Sequence, residues 1–175
     1  MDFRQDYFQL FELPRAFEVD LVALSQRYQE LQKQLHPDRH AAAADQQRRL
    51  SLQYTTFVNE AYATLKSPLR RAQYLLELSG HSLAGDNQTT KDRHFLMQQM
   101  EWREALADAE HSDDPWQALD QLSVEAKAEQ ARLYQSFVAA WQVQQWPQAE
   151  QCLRQLQFVH KLLDEVAELE ERLDD

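Results

Sequence analysis

Glycine is very scarce in this 175-residue chain, which contains only Gly80 and Gly85, five positions apart. Hairpin turns depend heavily on glycine, and the β-branched residues that favour strands are also sparse. The abundant residues are Ala, Leu, Gln, Glu and Arg, which are good helix formers. The sequence therefore predicts an all-α protein. The polar stretch around the two glycines predicts a linker at residues 79–88, between a first domain of residues 1–78 and a second of residues 89–175.

Several classes of protein are excluded by simple absences in the sequence. No run of about 18 apolar residues occurs, which argues against a membrane-spanning segment. The first residues lack the apolar core of a secretory signal and the Arg-rich, acid-poor character of a transit peptide. Cys152 is the only cysteine, so neither a disulfide framework nor a cysteine zinc site can form within one chain. We expect a cytoplasmic protein of a bacterial cell that carries no cofactor or metal.

The net charge of −11 is concentrated in the second half of the chain. Residues 1–85 contain 10 acidic and 10 basic side chains, whereas residues 86–175 contain 19 acidic and 8 basic ones, a difference of 11. The two halves are therefore expected to bind different partners. Nucleic acid is a poor candidate for the acidic half, and we expect neither nucleic acid nor membrane as a partner.

Apolar spacing in the first domain predicts an antiparallel helical hairpin with short flanking helices. A short helix or turn around Phe8 is predicted to end near Pro14. The first helix of the hairpin has one apolar face through His36 and is stopped by Pro37, because a residue before proline avoids the α region. A loop is predicted from Asp38 to about residue 45. The second helix of the hairpin follows it and ends at residues 67 and 68. The chain from there to the linker is treated as a tail without regular structure. The stripes are Leu21, Leu24, Tyr28, Leu31 and Leu35, then Leu50, Tyr54, Phe57, Val58, Ala61, Tyr62 and Leu65.

The second domain is predicted to be an antiparallel three-helix bundle. Its first helix covers about residues 90–110 and is opened by Thr89 or Thr90, with Asp92 as the partner in a capping box. The second helix begins at Asp114–Pro115, an acidic N-cap followed by proline in the first helical position. The third helix begins near Pro147 and continues to the acidic end of the chain.

The tripeptide His36-Pro37-Asp38 lies at the junction of the first hairpin helix and the loop. A given tripeptide arises by chance in a chain of this length on the order of once in a hundred cases. By itself it is about equally consistent with a simple helix stop whose aspartate caps a neighbouring group. Tyr28 precedes the tripeptide, Arg39 follows it, and the second hairpin helix ends in Ser67-Pro68-Leu69-Arg70-Arg71-Ala72. This arrangement resembles a J domain.

J domains use this loop and the basic face of the preceding helix to bind a DnaK-type chaperone and to trigger its ATP hydrolysis. The resemblance implies that His36, Pro37 and Asp38 are the trigger. It also implies that Arg27, Lys33 and Arg39 meet an acidic surface of the chaperone. Gln29 and Glu30 stand where many J-domain helices are more basic, which suggests a dedicated chaperone.

The second domain narrows the resemblance to the HscB family, which it matches over essentially the whole chain. The segments that carry the similarity are Phe95-Leu96-Met97-Gln98-Gln99-Met100-Glu101-Trp102-Arg103-Glu104-Ala105-Leu106, Arg71-Ala72-Gln73-Tyr74-Leu75-Leu76 and Leu156-Gln157-Phe158-Val159-His160-Lys161-Leu162. Members of this family are co-chaperones that bring the iron–sulfur scaffold protein (IscU) to a specialised chaperone (HscA). The resemblance therefore implies a non-enzymatic adaptor that stimulates the chaperone's ATPase and supports the maturation of iron–sulfur proteins.

Helical periodicity independently indicates a second apolar face on two helices of this domain. At about 100° per residue, Phe95, Trp102, Leu106 and Ala109 form one face, and Leu96, Met97, Met100 and Ala107 form another. On the last helix, Phe158, Leu162 and Leu169 lie roughly opposite Leu156 and Leu163. These second stripes either pack inside the protein or bind a partner. The HscB resemblance assigns client binding to Leu96, Met97, Met100, Glu101, Glu104 and Phe158.

Two other functions remain open at this point. One is a hydrolase or metalloenzyme that uses His36 and Asp38 together with carboxylates of the second domain. His36, Asp38 and His40 could also be imagined as metal ligands, although their spacing is interrupted by proline and no second cluster supports them. A purely structural helical adaptor is the other alternative, and it predicts that the loop can be replaced without functional loss. We interpret Cys152 as a small buried hydrophobe and His160 as a surface histidine.

Overall fold

The computed structural model describes residues 2–35, 45–83 and 92–174, and every regular element in these ranges is an α-helix. The predicted all-α fold is confirmed. Contacts divide the chain into two compact units, one up to Leu78 and one from Ser79 onward. None of the helices in the described ranges is both long and apolar enough to span a bilayer. The helices are α1 (Tyr7–Leu10), α2 (Leu21–Leu35), α3 (Asp45–Lys66), α4 (Pro68–Leu78), α5 (Arg93–Ala109), α6 (Pro115–Gln142) and α7 (Trp146–Asp174).

In the first unit, α2 and α3 pack together, and α1 and α4 pack on α3. The short α1 is held by a capping box, in which the Asp6 carboxylate accepts from the Gln9 amide at 2.9 Å and the Gln9 side chain accepts from the Asp6 amide at 2.9 Å. The core of the unit consists of side chains that are at most 8% exposed: Phe8, Leu10, Phe11, Leu24, Leu35, Tyr54, Val58, Ala61, Leu65, Ala72, Leu75 and Leu76.

The treatment of residues 68–78 as a tail was wrong, because they form the 11-residue helix α4. Ser67 precedes it, and its Oγ accepts from the Arg70 amide at 3.4 Å. Pro68 then occupies the first helical position, where its missing N–H costs nothing. The same proline that ends α3 therefore begins a new helix, whose apolar face is buried in the unit.

The second unit is a three-helix bundle in which α6 and α7 form an antiparallel hairpin and α5 runs parallel to α7. The hairpin turn uses Gln144 in the left-handed region, with φ of 59°. The direction of α5 follows from its contacts with α7, since Asp92 receives a 3.3 Å hydrogen bond from Gln155 while Arg103, further along, pairs with Glu165. The predicted start of α6 is confirmed, with the Asp114 carboxylate accepting from the Gln117 amide at 3.0 Å.

The predicted opening of α5 by Thr89 or Thr90 is replaced by a cap at Asp92. The Asp92 carboxylate accepts from the Phe95 amide at 3.2 Å, and the helix begins at Arg93. Thr89 and Thr90 lie outside the described residues. An aspartate is as good an N-cap as a serine or threonine, so the alternative register was always available to this sequence.

Part of the predicted linker packs on the second unit. The Trp141 indole donates to Ser79 Oγ at 3.2 Å, and the His81 ring stacks on Trp146 at a centroid distance of 4.8 Å. His81 Nδ1 also lies 3.5 Å from a carboxylate oxygen of Glu150. Residues 79–83 therefore belong structurally to the bundle, and residues 84–88 lie outside the described ranges.

Candidate functional site

The candidate trigger residues His36, Pro37, Asp38 and Arg39, together with His40, lie outside the described residues. Their roles therefore stay predictions. The chain on either side is described, with Leu35 as the last residue of α2 and Asp45 as the first of α3.

The hairpin that carries this segment is fixed by Tyr28. Its ring stacks on Tyr62 of α3 with centroids 3.9 Å apart and an interplanar angle of 6°. Its hydroxyl donates to the Asn59 side chain at 2.9 Å and lies 2.6 Å from Gln32 Nε2. The sequence places Tyr28 on the apolar stripe of the first hairpin helix and next to the motif. The structure adds that its ring and hydroxyl contacts align the two helices.

The two described basic residues of α2 differ in their surroundings. Arg27 forms ion pairs with Glu12 and with Glu30, the latter at 3.1 Å. Lys33 is exposed in the last turn of α2. Arg27 would therefore have to exchange its acidic partners before it could bind another protein. This exchange costs little free energy, because exposed ion pairs contribute little to stability. Lys33 has no acidic partner among the residues that the structure describes, so on that part of the chain it needs no such exchange.

The second apolar face of α5, which periodicity left either packed inside the protein or available to a partner, is exposed to solvent. Met97 is 63% exposed and Met100 is 72% exposed, although both are large apolar side chains. Leu96 is half-buried beside them, and Glu101 and Glu104 are exposed. We call these five residues the methionine patch. It has the apolar centre and polar rim that are typical of protein-binding surfaces.

Phe158 does not project freely from α7, contrary to what the opposite-stripe argument predicts. It is half-buried, with Phe95 at 5.9 Å in an edge-on arrangement and Trp102 at 6.4 Å in a parallel one. The Arg103 guanidinium lies 5.2 Å from the Phe158 ring centroid. Phe158 therefore joins α7 to α5 and presents only part of its ring to solvent.

Two other members of the second stripe of α7 are core residues. Leu162 is fully buried and Leu169 is 3% exposed, whereas Leu163, predicted to lie in the core, is half-buried. The physical reason is that α7 packs against both α5 and α6, so a single narrow apolar stripe cannot cover both neighbours. Packing within the bundle therefore explains why Leu162 and Leu169 are apolar.

His160 is a half-buried residue of the α6–α7 contact, so its interpretation as a surface histidine was wrong. Its Nε2 lies 2.6 Å from Tyr134 Oη and 3.1 Å from Gln130 Nε2. Burial lowers the pKa of His160, and the nearby Asp164 carboxylate opposes that shift.

Two features of the bundle bear on its chemistry. Cys152 is 1% exposed, which confirms it as a small core residue, and burial raises the pKa of its thiol.

Within residues 2–35, 45–83 and 92–174, no group of three or more His, Cys, Asp or Glu residues is arranged to hold a metal ion.

Comparison with known proteins identifies relatives along nearly the whole chain. A family model described as the HSCB C-terminal oligomerisation domain matches residues 91–167. A protein of Aeromonas hydrophila named co-chaperone protein HscB homolog is 43% identical over 168 residues, which cover 96% of this chain and 98% of the relative.

Two solved structures share this architecture. The chaperone HscB from Vibrio cholerae is 38% identical, with a TM-score of 0.86 over 97% of this chain and 99% of that one. The human co-chaperone protein HscB is 29% identical, with a TM-score of 0.88 over 97% of this chain and 84% of that one.

Proposed function

The chain belongs to the HscB family of co-chaperones, and we propose that it brings an iron–sulfur scaffold protein (IscU-like) to a dedicated DnaK-type chaperone (HscA-like). In this proposal it stimulates the ATPase of that chaperone and supports the maturation of iron–sulfur proteins. It performs no covalent chemistry itself. We place this activity in the bacterial cytoplasm.

The first unit is proposed to be the J domain that binds the chaperone. His36, Pro37 and Asp38 act as the trigger, and Arg27, Lys33 and Arg39 meet an acidic surface on the chaperone. The aligned α2–α3 hairpin supports this role, because the Tyr28–Tyr62 stack fixes the helices that flank the trigger. A trigger loop needs such a frame, since a misplaced contact loses most of its effect.

The second unit is proposed to hold the client. The single observation that carries this proposal is the exposure of Met97 and Met100, 63% and 72%, on the face of α5 away from the bundle core. Exposing two large apolar side chains side by side has no benefit for folding, and unbranched methionine adapts to the shape of a partner. Leu96, Glu101, Glu104 and the exposed part of Phe158 complete the proposed client surface.

A reconstituted ATPase assay tests this function. ATP turnover is measured for the purified chaperone alone, with this chain, and with this chain plus the scaffold protein. We expect this chain alone to hydrolyse no ATP, to accelerate the chaperone several-fold, and to accelerate it further when the scaffold is present. Acceleration that survives replacement of residues 36–38 by Gly-Ser-Gly would instead favour a purely structural adaptor.

Turnover of a substrate by this chain on its own would contradict the proposal and favour the enzyme alternative. The scaffold protein should also be retained when the chain is used as bait in a native bacterial extract. Identification of the retained proteins by mass spectrometry provides an independent check on both partners.

A further inference from the structure

A groove of about 590 Å³ lies between α5 and α7, near the end of the bundle where α5 stops. Leu106, Ala107 and Leu169 give it an apolar lining, and the carboxylates of Glu110, Glu165, Glu168 and Glu171 line the remainder, with Arg172 as the one basic residue. The groove is thus both apolar and strongly acidic.

The groove exists because two parallel helices differ in length and in side-chain size. Trp102 and Phe158 fill the space between α5 and α7 near the middle of α5. One to two turns further on, α5 contributes the half-buried Leu106 and the methyl group of Ala107. It ends at Ala109, while α7 continues to Asp174. No aromatic side chain of α5 fills the space here as Trp102 does one turn earlier.

The groove continues the methionine patch. Leu96, Met100 and Ala107 lie at intervals of four and seven residues, so they share one face of α5. At 1.5 Å per residue, Met100 and Ala107 are separated by about 10 Å along the helix axis. A partner helix of about 12 residues, roughly 18 Å long, would therefore cover the patch and enter the groove.

The carboxylates of the groove favour a partner segment that carries basic side chains. Glu165 is already paired with Arg103 and Lys161, whereas Glu110, Glu168 and Glu171 are exposed. A second copy of this bundle matches the carboxylates of the groove less well than a basic segment does, because residues 86–175 contain 19 acidic and only 8 basic side chains. A segment with Lys or Arg beside an apolar residue matches both the carboxylates and the apolar lining.

We infer that this groove binds a basic amphipathic segment of the client. The segment places an apolar side chain over Leu106 and Ala107, and its Lys or Arg side chains lie against Glu110, Glu168 and Glu171. This inference rests on the proposed client-binding function and extends it by one further contact region. The methionine patch supplies the apolar contact, and the groove adds electrostatic selection.

Two substitutions in the full-length chain test the groove directly. Ala107→Leu fills its apolar lining, and Glu168→Lys reverses one of its charges. Their controls are Ala131→Leu, which makes the same change in size, and Asp120→Lys, which makes the same reversal of charge, both at exposed positions of α6. Affinity for the purified scaffold protein is measured by titration calorimetry at two salt concentrations. We expect each groove variant to weaken binding by about tenfold at low salt, Glu168→Lys to lose less at high salt, and each control to stay within about twofold of the wild type.

A second probe does not require the scaffold. A synthetic 12-residue helical peptide of Leu and Lys is titrated into the isotopically labelled chain, and the same peptide with Glu in place of Lys serves as its control. We expect the basic peptide to shift the amide resonances of Ala107 and Leu169, and the acidic peptide to leave them unchanged. Ala107→Leu should abolish the shifts.

The outcomes separate the two proposals. If the scaffold binds and both groove variants bind it like the wild type, the groove inference is overturned while the client function stands. If the scaffold does not bind at all, the client function fails, and the peptide titration alone decides whether the groove selects basic segments. A dimer in sedimentation velocity that Ala107→Leu converts to monomer would assign the groove to a second copy and overturn the inference.

Discussion

The indole of Trp102 on α5 and the ring of Phe158 on α7 lie nearly parallel, with centroids 6.4 Å apart and an interplanar angle of 7°. Trp102 is 3% exposed, so this contact belongs to the bundle core on one side and reaches solvent through Phe158 on the other. Phe158 is therefore a packing residue and a candidate client-binding residue at once. Substitutions that include it mix the two effects.

Phe158→Ala should lower the free energy of unfolding by about 2–3 kcal/mol, because it removes a half-buried ring from Phe95 and Trp102. Trp102→Ala should cost about 3–5 kcal/mol, since that ring is almost fully buried. Urea denaturation followed by circular dichroism measures both. A combined Leu96, Met100 and Phe158 alanine variant should accordingly be less stable than the wild type. If Phe158→Ala has no effect on stability, the stack is not a stabilising contact.

Changing Met97 and Met100 to Ser should weaken scaffold binding by at least about tenfold while stability changes by less than about 0.5 kcal/mol, because both side chains are already in water. Val124→Ser with Val143→Ser is the matched control, since these valines are 59% and 65% exposed elsewhere in the bundle. Calorimetric titration gives the affinities. Equal losses in the two double variants would argue against a specific patch on α5.

Asp38→Ala should abolish stimulation of the chaperone's ATPase and leave the melting temperature nearly unchanged, as is usual for a substitution with no core role. Asp45→Ala removes a carboxylate from the first residue of α3 and should retain stimulation. The assay is ATP turnover at saturating co-chaperone. Normal stimulation by a folded Asp38→Ala protein would refute the J-domain role.

The chaperone contact should depend on salt, because exposed charges are screened over about 10 Å at 0.1 M. Lys33→Ala with Arg39→Ala should mainly slow association. Glu12→Gln should do the opposite and speed it, since it releases Arg27 from an ion pair. Surface plasmon resonance at several salt concentrations measures both rates. Salt-insensitive association would indicate a mainly apolar contact.

His160 should make the stability of the bundle depend on pH. Its folded-state pKa is lowered from the ordinary value of 6.5 by burial, so the unfolded chain takes up the proton first. The contribution of the neutral ring is complete above pH 6.5 and is lost as the pH falls through the lowered folded-state value. His160→Gln should therefore flatten the decline in unfolding free energy below pH 6.5. Parallel curves for the two proteins would exclude His160 as the cause.

The sequence by itself determined the class and order of the helices. The shortage of glycine indicates the all-α class. The apolar stripes at three- and four-residue spacing and helix starts such as Asp114–Pro115 depend on interactions within one or two turns, so they can be recognised from the sequence. The same holds for the existence of a second apolar face on α5, because Met97 and Met100 lie opposite Phe95 and Trp102 on any α-helix. Local ambiguity explains the errors at Pro68, which can end one helix and begin the next, and at Asp92, which caps as well as threonine does.

Tertiary structure decided which of the apolar stripes face water. Phe158, Leu162 and Leu169 share a face of α7 that could have served a partner. The packing of α7 against its neighbouring helices buries the two leucines, and Phe95 and Trp102 of α5 cover part of the phenylalanine. The ion pair between Arg27 and Glu12 and the contact of His160 with Tyr134 likewise join residues 15 and 26 positions apart. Periodicity records which residues share a side of one helix. Burial depends on the neighbouring helix, whose position follows from the packing of the whole unit.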